Sequence, residues 1–217
     1  MRVRTVVAAA LVLVVALGAG AWFSPVLSVR SVQVQGVAGA SPQQVRDAAA
    51  IPAGTPLLQV DLGAAARRVA AIPRVATAQV DRTLPSGVRI TVVERTPVAW
   101  VTGSGGSHLL DADGFDFATQ PPPAGLPELG VPTPGVNDPR TVAALSVLTT
   151  LPPPLREQVV RVSAVSPSAV ELTLGQGRTV RWGGVEAAAR KAAVLSALLT
   201  QPGRVYDVSS PSLPTVR

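Results

Sequence analysis

Residues Arg82–Trp100 read RTLPSGVRITVVERTPVAW. Proline and glycine in LPSG, Leu84 to Gly87, mark a turn, since one fixes φ and the other frees it. Past the turn Val88, Ile90 and Val92 alternate with Arg89, Thr91 and Val93. That is the two-residue period of a strand buried on one face. Glu94, Arg95 and Pro97 break the pattern before more strand follows, so one folded unit ends near residue 95. No side chain in the stretch is arranged for chemistry.

Upstream, VATAQVDR (75–82) puts Ala76, Ala78 and Val80 on one face and supplies the strand on the other side of the turn. Asp61 stands as N-cap to a helix in which Leu62, Ala66 and Val69 recur at helical spacing, with Arg67 and Arg68 outward and Pro73 closing it. An earlier helix starts at Ser41, with Pro42 in the first helical position and Gln44 completing a capping box. Pro52 is expected to end it. VRSVQVQG (29–36) alternates Val32 and Val34 against Ser31, Gln33 and Gln35. The order strand, helix, helix, strand, strand makes a self-sufficient α+β unit, with both helices on one face of a small sheet.

At the N-terminus Arg2 and Arg4 precede an uncharged run from Val6 to Phe23. As a helix these residues span about 27 Å, close to the roughly 30 Å of a hydrocarbon core. Trp22 sits where an interfacial aromatic belongs, and the arginines hold residues 1–5 in the cytoplasm. This reads as a retained transmembrane helix. A cleaved signal peptide competes with it, because AGA at Ala19–Ala21 resembles a small-residue cleavage site. A buried core helix is the third reading.

Composition narrows the function classes. The chain has 217 residues, 47% hydrophobic but 3% aromatic, so its core is built from aliphatic side chains. It has no cysteine, which excludes disulfides and thiolate metal sites. The net charge is +6, carried almost wholly by arginine and spread over separate segments. Without a basic stripe or stacking aromatics, this is a solvated surface and not a nucleic-acid footprint.

Beyond Thr96, TPVAWV and SHLLD read as short strands around the GSGG turn, and DADG turns into FDF. Residues 120–136 form an irregular, proline-rich stretch. Asp138 caps a helix to Leu151 with Pro139 in its first position. Strands follow at Val162–Ala164, Ala169–Leu174 and Arg178–Trp182, the last two joined by GQG. A helix from Glu186 to Leu199 and the strand RVYDV precede a proline-containing tail, 209–217.

Candidate chemistry is sparse. His108 is the single histidine, and neither Ser104 nor Ser107 lies in a nucleophile elbow. A calcium loop starting at Asp111 would need glycine where Asp116 stands and an acid where Pro122 stands. Asp113-Gly114 is a hairpin turn, and Gly103–Gly106 lacks the lysine of a phosphate loop. The residues therefore give no catalytic, metal or cofactor site, no small-molecule substrate and no basis for an enzyme. A strand edge remains, whose free N–H and C=O groups can accept another chain. Val205–Val208, the last strand and free of proline, is the expected open edge.

These elements together resemble the FtsQ/DivIB cell-division family, whose POTRA domain follows a membrane anchor. The V-x-V-x-G strand matches at Val32–Gly36, the I-x-x-G-x-x-L link at Ile51–Leu57, and IP-x-V-x-x-A-x-V-x-R-x-LP at Ile72–Pro85. The closing I-x-V-x-ER-x-PVA matches at Ile90–Ala99. From Thr96 the match is thinner; VELTLGQGRTVRWGG, a helix with Lys191 and a strand with Tyr206 and Asp207 resemble the family's β domain.

The resemblance implies an α+β chain with an N-terminal transmembrane helix (6–23), a β-α-α-β-β POTRA domain (29–95), a mostly antiparallel β domain with helices (96–208) and a tail (209–217). It implies a non-enzymatic, single-pass scaffold of the divisome at the septum, with its main domains outside the cytoplasm, linking early and late division proteins. Its partners would be FtsB-like and FtsL-like proteins, with the septal synthase complex a further candidate. By position, Trp182, Lys191, Val205, Tyr206, Asp207 and Val208 are the partner-binding candidates. POTRA units also serve secreted chaperones and transport adaptors, which is the alternative reading; a cell-wall enzyme with an unrecognised site is a third.

Overall fold

The computed structural model describes residues 27–217, together with Val7 and residues 10–13. The expected membrane helix at 6–23 therefore lies mostly outside the described residues, and the expected cytoplasmic flank, 1–5, lies wholly outside them. Among the described residues no helix is long and apolar enough to cross a membrane. The chain divides into two compact units at Arg95/Thr96.

The first unit runs β1 (Ser31–Gln35), α1 (Pro42–Ala49), a 3-10 turn (Leu57–Gln59), α2 (Leu62–Ala70), β2 (Val75–Thr83) and β3 (Gly87–Glu94). The sheet order is β1-β3-β2, with β1 parallel and β2 antiparallel to β3. Both helices start on their caps: Ser41 Oγ accepts the Gln44 N–H at 3.0 Å, and Asp61 Oδ1 accepts that of Ala64 at 2.8 Å. Each satisfies one of the first-turn N–H groups that a helix cannot pair internally. The first helix stops short of Pro52, because Ala50 takes a left-handed conformation (φ 47°) and returns its N–H to Arg46 and Asp47.

Strand β2 departs from simple alternation. A register shift between Val75 and Thr77 buries Val75 and leaves Ala76 exposed, so the inward set is Val75, Ala78 and Val80. Val45, Ala49, Leu57, Ala65, Val69, Val80, Val88, Ile90 and Val92 form the core. Removing one Val or Leu side chain from water contributes about 1.5–3 kcal/mol. Gly36 is dictated by space as well as by its φ of +82°: a Cβ there would stand 2.0 Å from the Val92 carbonyl oxygen. Arg82 donates to the carbonyls of Leu57, Leu58 and Val60 at 2.8, 3.3 and 2.9 Å, tying the 3-10 segment to β2.

The second unit holds β4 (Ala99–Gly103), β5 (Gly106–Leu110), β6 (Asp116–Thr119), β7 (Glu128–Gly130), α3 (Pro139–Thr150), α4 (Pro153–Arg156), β8 (Val159–Ser166), β9 (Ala169–Leu174), β10 (Thr179–Gly183), α5 (Ala188–Leu198), β11 (Val205–Asp207) and β12 (Thr215–Val216). They form one nine-stranded sheet in the order β12-β11-β10-β9-β8-β7-β4-β5-β6. The sheet is mixed: β4–β7, β7–β8 and β10–β11 are parallel and the other pairs antiparallel. The proline-rich stretch is not wholly irregular, because it contains β7, which joins β4 to β8 in mid-sheet.

Helix α3 is capped by Asp138, which accepts the Thr141 N–H at 3.1 Å, and lies against β8 and β9. It also meets α5. The core beneath holds Leu145, Leu148, Val162, Leu172, Val180, Trp182, Leu195, Tyr206 and Val208. Helix α5 begins at Ala188, two residues after Glu186, because Ala187 is left-handed (φ 51°).

Candidate partner-binding site at the C-terminal strands

The site is built where β9, β10, β11 and β12 lie side by side. Arg181 of β10 stands opposite Glu171 on one neighbour and Asp207 on the other; Glu171 in turn faces Ser163 of β8. Alternation within each strand sends these polar residues to one face and Val180, Trp182 and Tyr206 to the other. The apolar side chains enter the core with α3 and α5. Arg181 and Glu171 are exposed, while Ser163 and Asp207 are half-buried. With Val165, Ser168 and Ser209 they line a shallow hollow of about 370 Å³.

Four of the six expected binding residues are buried in the chain's own core. Trp182 and Val208 are 0% exposed, Tyr206 1% and Lys191 2%. Their side chains present no surface to a partner, since the covered face of the sheet is where alternation sends them. Tyr206 Oη donates to the carbonyls of Gln201 (2.9 Å) and Gly203 (3.0 Å), closing the turn into β11. Lys191 Nζ donates to the Gly184 carbonyl at 2.8 Å and stands 6.0 Å from the Trp182 ring centroid. Burial pushes the Lys191 ammonium below the ordinary lysine value, and the charge of Glu186 opposes the shift. Trp182 Nε1 is buried and meets no acceptor among the described residues.

Val205 and Asp207 are half-buried. Asp207 Oδ1 accepts the Ser209 N–H at 3.0 Å and its hydroxyl at 2.6 Å, bending the chain away after β11.

The edge expected to be open at Val205–Val208 is occupied. Strand β10 pairs with β11 on one side, and β12, from the tail, pairs on the other with Tyr206 opposite Val216 and Asp207 opposite Thr215. Val205 N–H donates to the Arg217 carbonyl at 2.9 Å, and the Val205 carbonyl accepts the Arg217 N–H at 2.9 Å; Arg204 N–H donates to the same Arg217 carbonyl at 2.7 Å. The physical reason is local: a turn through Ser209–Pro214 is long enough to fold the tail back on the strand it follows. RVYDV is therefore not the last strand.

Elsewhere the polar clusters are structural. His108 Nδ1 stands 2.7 Å from Asp116 Oδ2 and Nε2 stands 2.9 Å from the Ser104 carbonyl, so the imidazole faces acceptors and no serine hydroxyl. Asp111 Oδ1 accepts the N–H groups of Asp113 (3.0 Å) and Phe115 (2.9 Å), shaping the DADG turn. Among the described residues no three His, Asp or Glu are grouped to hold a metal.

The sequence matches two family models end to end: residues 27–95 match the FtsQ-type POTRA domain, and residues 98–209 match the C-terminal domain described as cell division protein FtsQ/DivIB. Relatives carry the name cell division protein FtsQ. That of Mycobacteroides abscessus is 51% identical over 99% of this chain and 70% of its own length. The Mycolicibacterium smegmatis protein is 52% identical over 95% of this chain, which spans 62% of that relative. The Corynebacterium glutamicum protein is 31% identical over 99% of this chain and 98% of its own length. With both units matched in order, the chain belongs to the FtsQ/DivIB family of cell-division proteins.

Proposed function

We propose that the chain is a non-enzymatic, single-pass scaffold of the divisome, tethered by Val6–Phe23 with its two folded units outside the cytoplasm at the septum. It binds an FtsB-like and FtsL-like pair by accepting an extended partner segment at the β12 end of the nine-stranded sheet, beside β11. The observation that carries this reading is the sheet order: β12 stands last in it and pairs with β11 on one side, with no strand on its other side among the described residues. Main-chain pairing at such a rim supplies affinity without reactive side chains. Burial of Trp182, Tyr206, Lys191 and Val208 gives them a supporting role, holding β10 and β11 flat against α5 and setting the rim's position. A general secretion or transport adaptor is not supported, because the second unit matches the FtsQ/DivIB C-terminal model over its length.

The test is co-purification of the FtsB-like and FtsL-like proteins with the tagged full chain from dividing cells, beside fluorescence of a fusion at the septum. Val216→Pro removes an N–H that faces away from β11, because it is the neighbouring Arg217 whose N–H and carbonyl are bonded to Val205, and it leaves β10 and β11 joined. Recovery of the pair should fall to background while circular dichroism stays unchanged. Recovery at the wild-type level would reject rim pairing.

A further inference from the structure

We propose that the end of the first unit where the chain enters is a membrane-contact site, whose turn between β2 and β3 inserts Leu84 into the apolar boundary of the lipid bilayer. This rests on the tether reading above, since the bilayer is the one that Val6–Phe23 crosses in that reading. The entry is fixed by backbone bonds. Val29 N–H donates to the Thr55 carbonyl at 2.9 Å, and the Val29 carbonyl accepts the Gly54 N–H at 2.8 Å. Arg30 N–H donates to the Ser86 carbonyl at 2.8 Å. Two turns, 52–56 and 84–87, therefore flank the incoming chain. From Phe23 to Val29 the chain advances six residues, which extend to about 20 Å at most, so this end of the unit stays beside the lipid.

These turns present an apolar, uncharged surface. Residues 51–60 (IPAGTPLLQV) and 83–88 (TLPSGV) hold no charge. Leu84 is 71% exposed at the tip of its turn, and Leu58 is 38% exposed in the 3-10 segment. Arg82 ties the two together: two residues before Leu84, its guanidinium is bonded to the carbonyls of Leu57, Leu58 and Val60. Arg30, exposed beside them, has the sign that anionic headgroups attract. Arg74, Glu94 and Arg95 stand at the other end of the sheet, where β2 begins and β3 ends. A lone exposed leucine is ordinary on a free domain. On a tethered unit it has only to select among orientations, and burying it favours the inserted one about ten- to a hundredfold.

The chain has no cysteine, so a single introduced thiol takes a label specifically. The full chain with Ser86→Cys, carrying an environment-sensitive fluorophore, is reconstituted in vesicles of phosphatidylcholine and phosphatidylglycerol. Val93→Cys, 56% exposed near the other end of β3, is the aqueous control. The label at position 86 should be quenched by nitroxide-bearing lipid and shielded from iodide, and the label at position 93 the reverse. Leu84→Asp should cut the lipid quenching at position 86 about tenfold or more, and Leu84→Ser, which adds no charge, should cut it less. Equal iodide quenching at the two positions, or lipid quenching unchanged by Leu84→Asp, would overturn the insertion. If the chain still floats with the vesicles in that case, the tether reading stands. A chain that fails to float with them overturns both.

Discussion

The Glu94 carboxylate closes on the backbone of Gly39: its two oxygens lie 3.1 and 2.9 Å from the Gly39 nitrogen. Oε1 also accepts the N–H groups of Ala38 and Ala40, each at 2.9 Å. The end of β3 thereby fixes the loop that delivers Ser41 to its capping position. Burial pushes the Glu94 carboxyl up, but the N–H groups of Ala40, Ala38 and Gly39, with the charge of Arg74, outweigh it and leave the group below the ordinary carboxylate value.

A lowered carboxyl gives stability that is present above its unfolded value and is lost as pH falls through its folded value. Acidification should therefore loosen the 38–40 loop before the core of the first unit opens. Glu94→Gln should do the same at neutral pH, weakening the loop by about 1–2 kcal/mol. Amide exchange at Ala38, Gly39 and Ala40 reads both effects. Unchanged protection in Glu94→Gln would remove the carboxylate from this role.

His108 gives the opposite sign. Both ring nitrogens face acceptors, so the imidazolium is the form that satisfies both. The Ser104 carbonyl and the Asp116 side chain raise the group above the ordinary histidine value, against a smaller opposing effect of burial. Its contribution is complete below the unfolded value and disappears as pH rises through the folded value. The imidazole proton resonances should titrate above those of a free histidine, and Asp116→Asn should lower the midpoint. A midpoint unmoved by Asp116→Asn would contradict the pairing.

Lys191 is buried against Trp182 and bonded to Gly184. Lys191→Ala removes both packing and the hydrogen bond, and should cost about 2–4 kcal/mol in thermal unfolding. Lys191→Met keeps most of the volume and should cost less. Equal losses would show that the ammonium bond, and not the packing, holds the loop from Gly183 to Ala187.

Helix starts were legible because caps are local: Ser41, Asp61 and Asp138 each bond the N–H three residues on. Gly36 was legible in the V-x-V-x-G pattern for a steric reason the structure supplies. Strand β7 was not, since three residues with one buried side chain, Leu129, owe their conformation to β4 and β8 on either side. The bulge at Val75 escaped for a similar reason: nothing in VATA separates one valine or alanine phase from the other. At the candidate site, position in the chain pointed to Val205 and Asp207, but it also drew in Trp182, Tyr206 and Val208, whose apolar character signals the covered face. Arg181 and Glu171 were visible only as alternation, and β12 is too short to carry a pattern.

The central claim is that the partner joins the β12 rim and not the opposite rim of the same sheet at β6. In-cell photo-crosslinking from single positions separates them. With a photoreactive residue at Thr215 of β12, the account predicts a covalent adduct with the FtsB-like protein, and with the residue at Thr119 of β6, none. An adduct at Thr119 with none at Thr215 would contradict it.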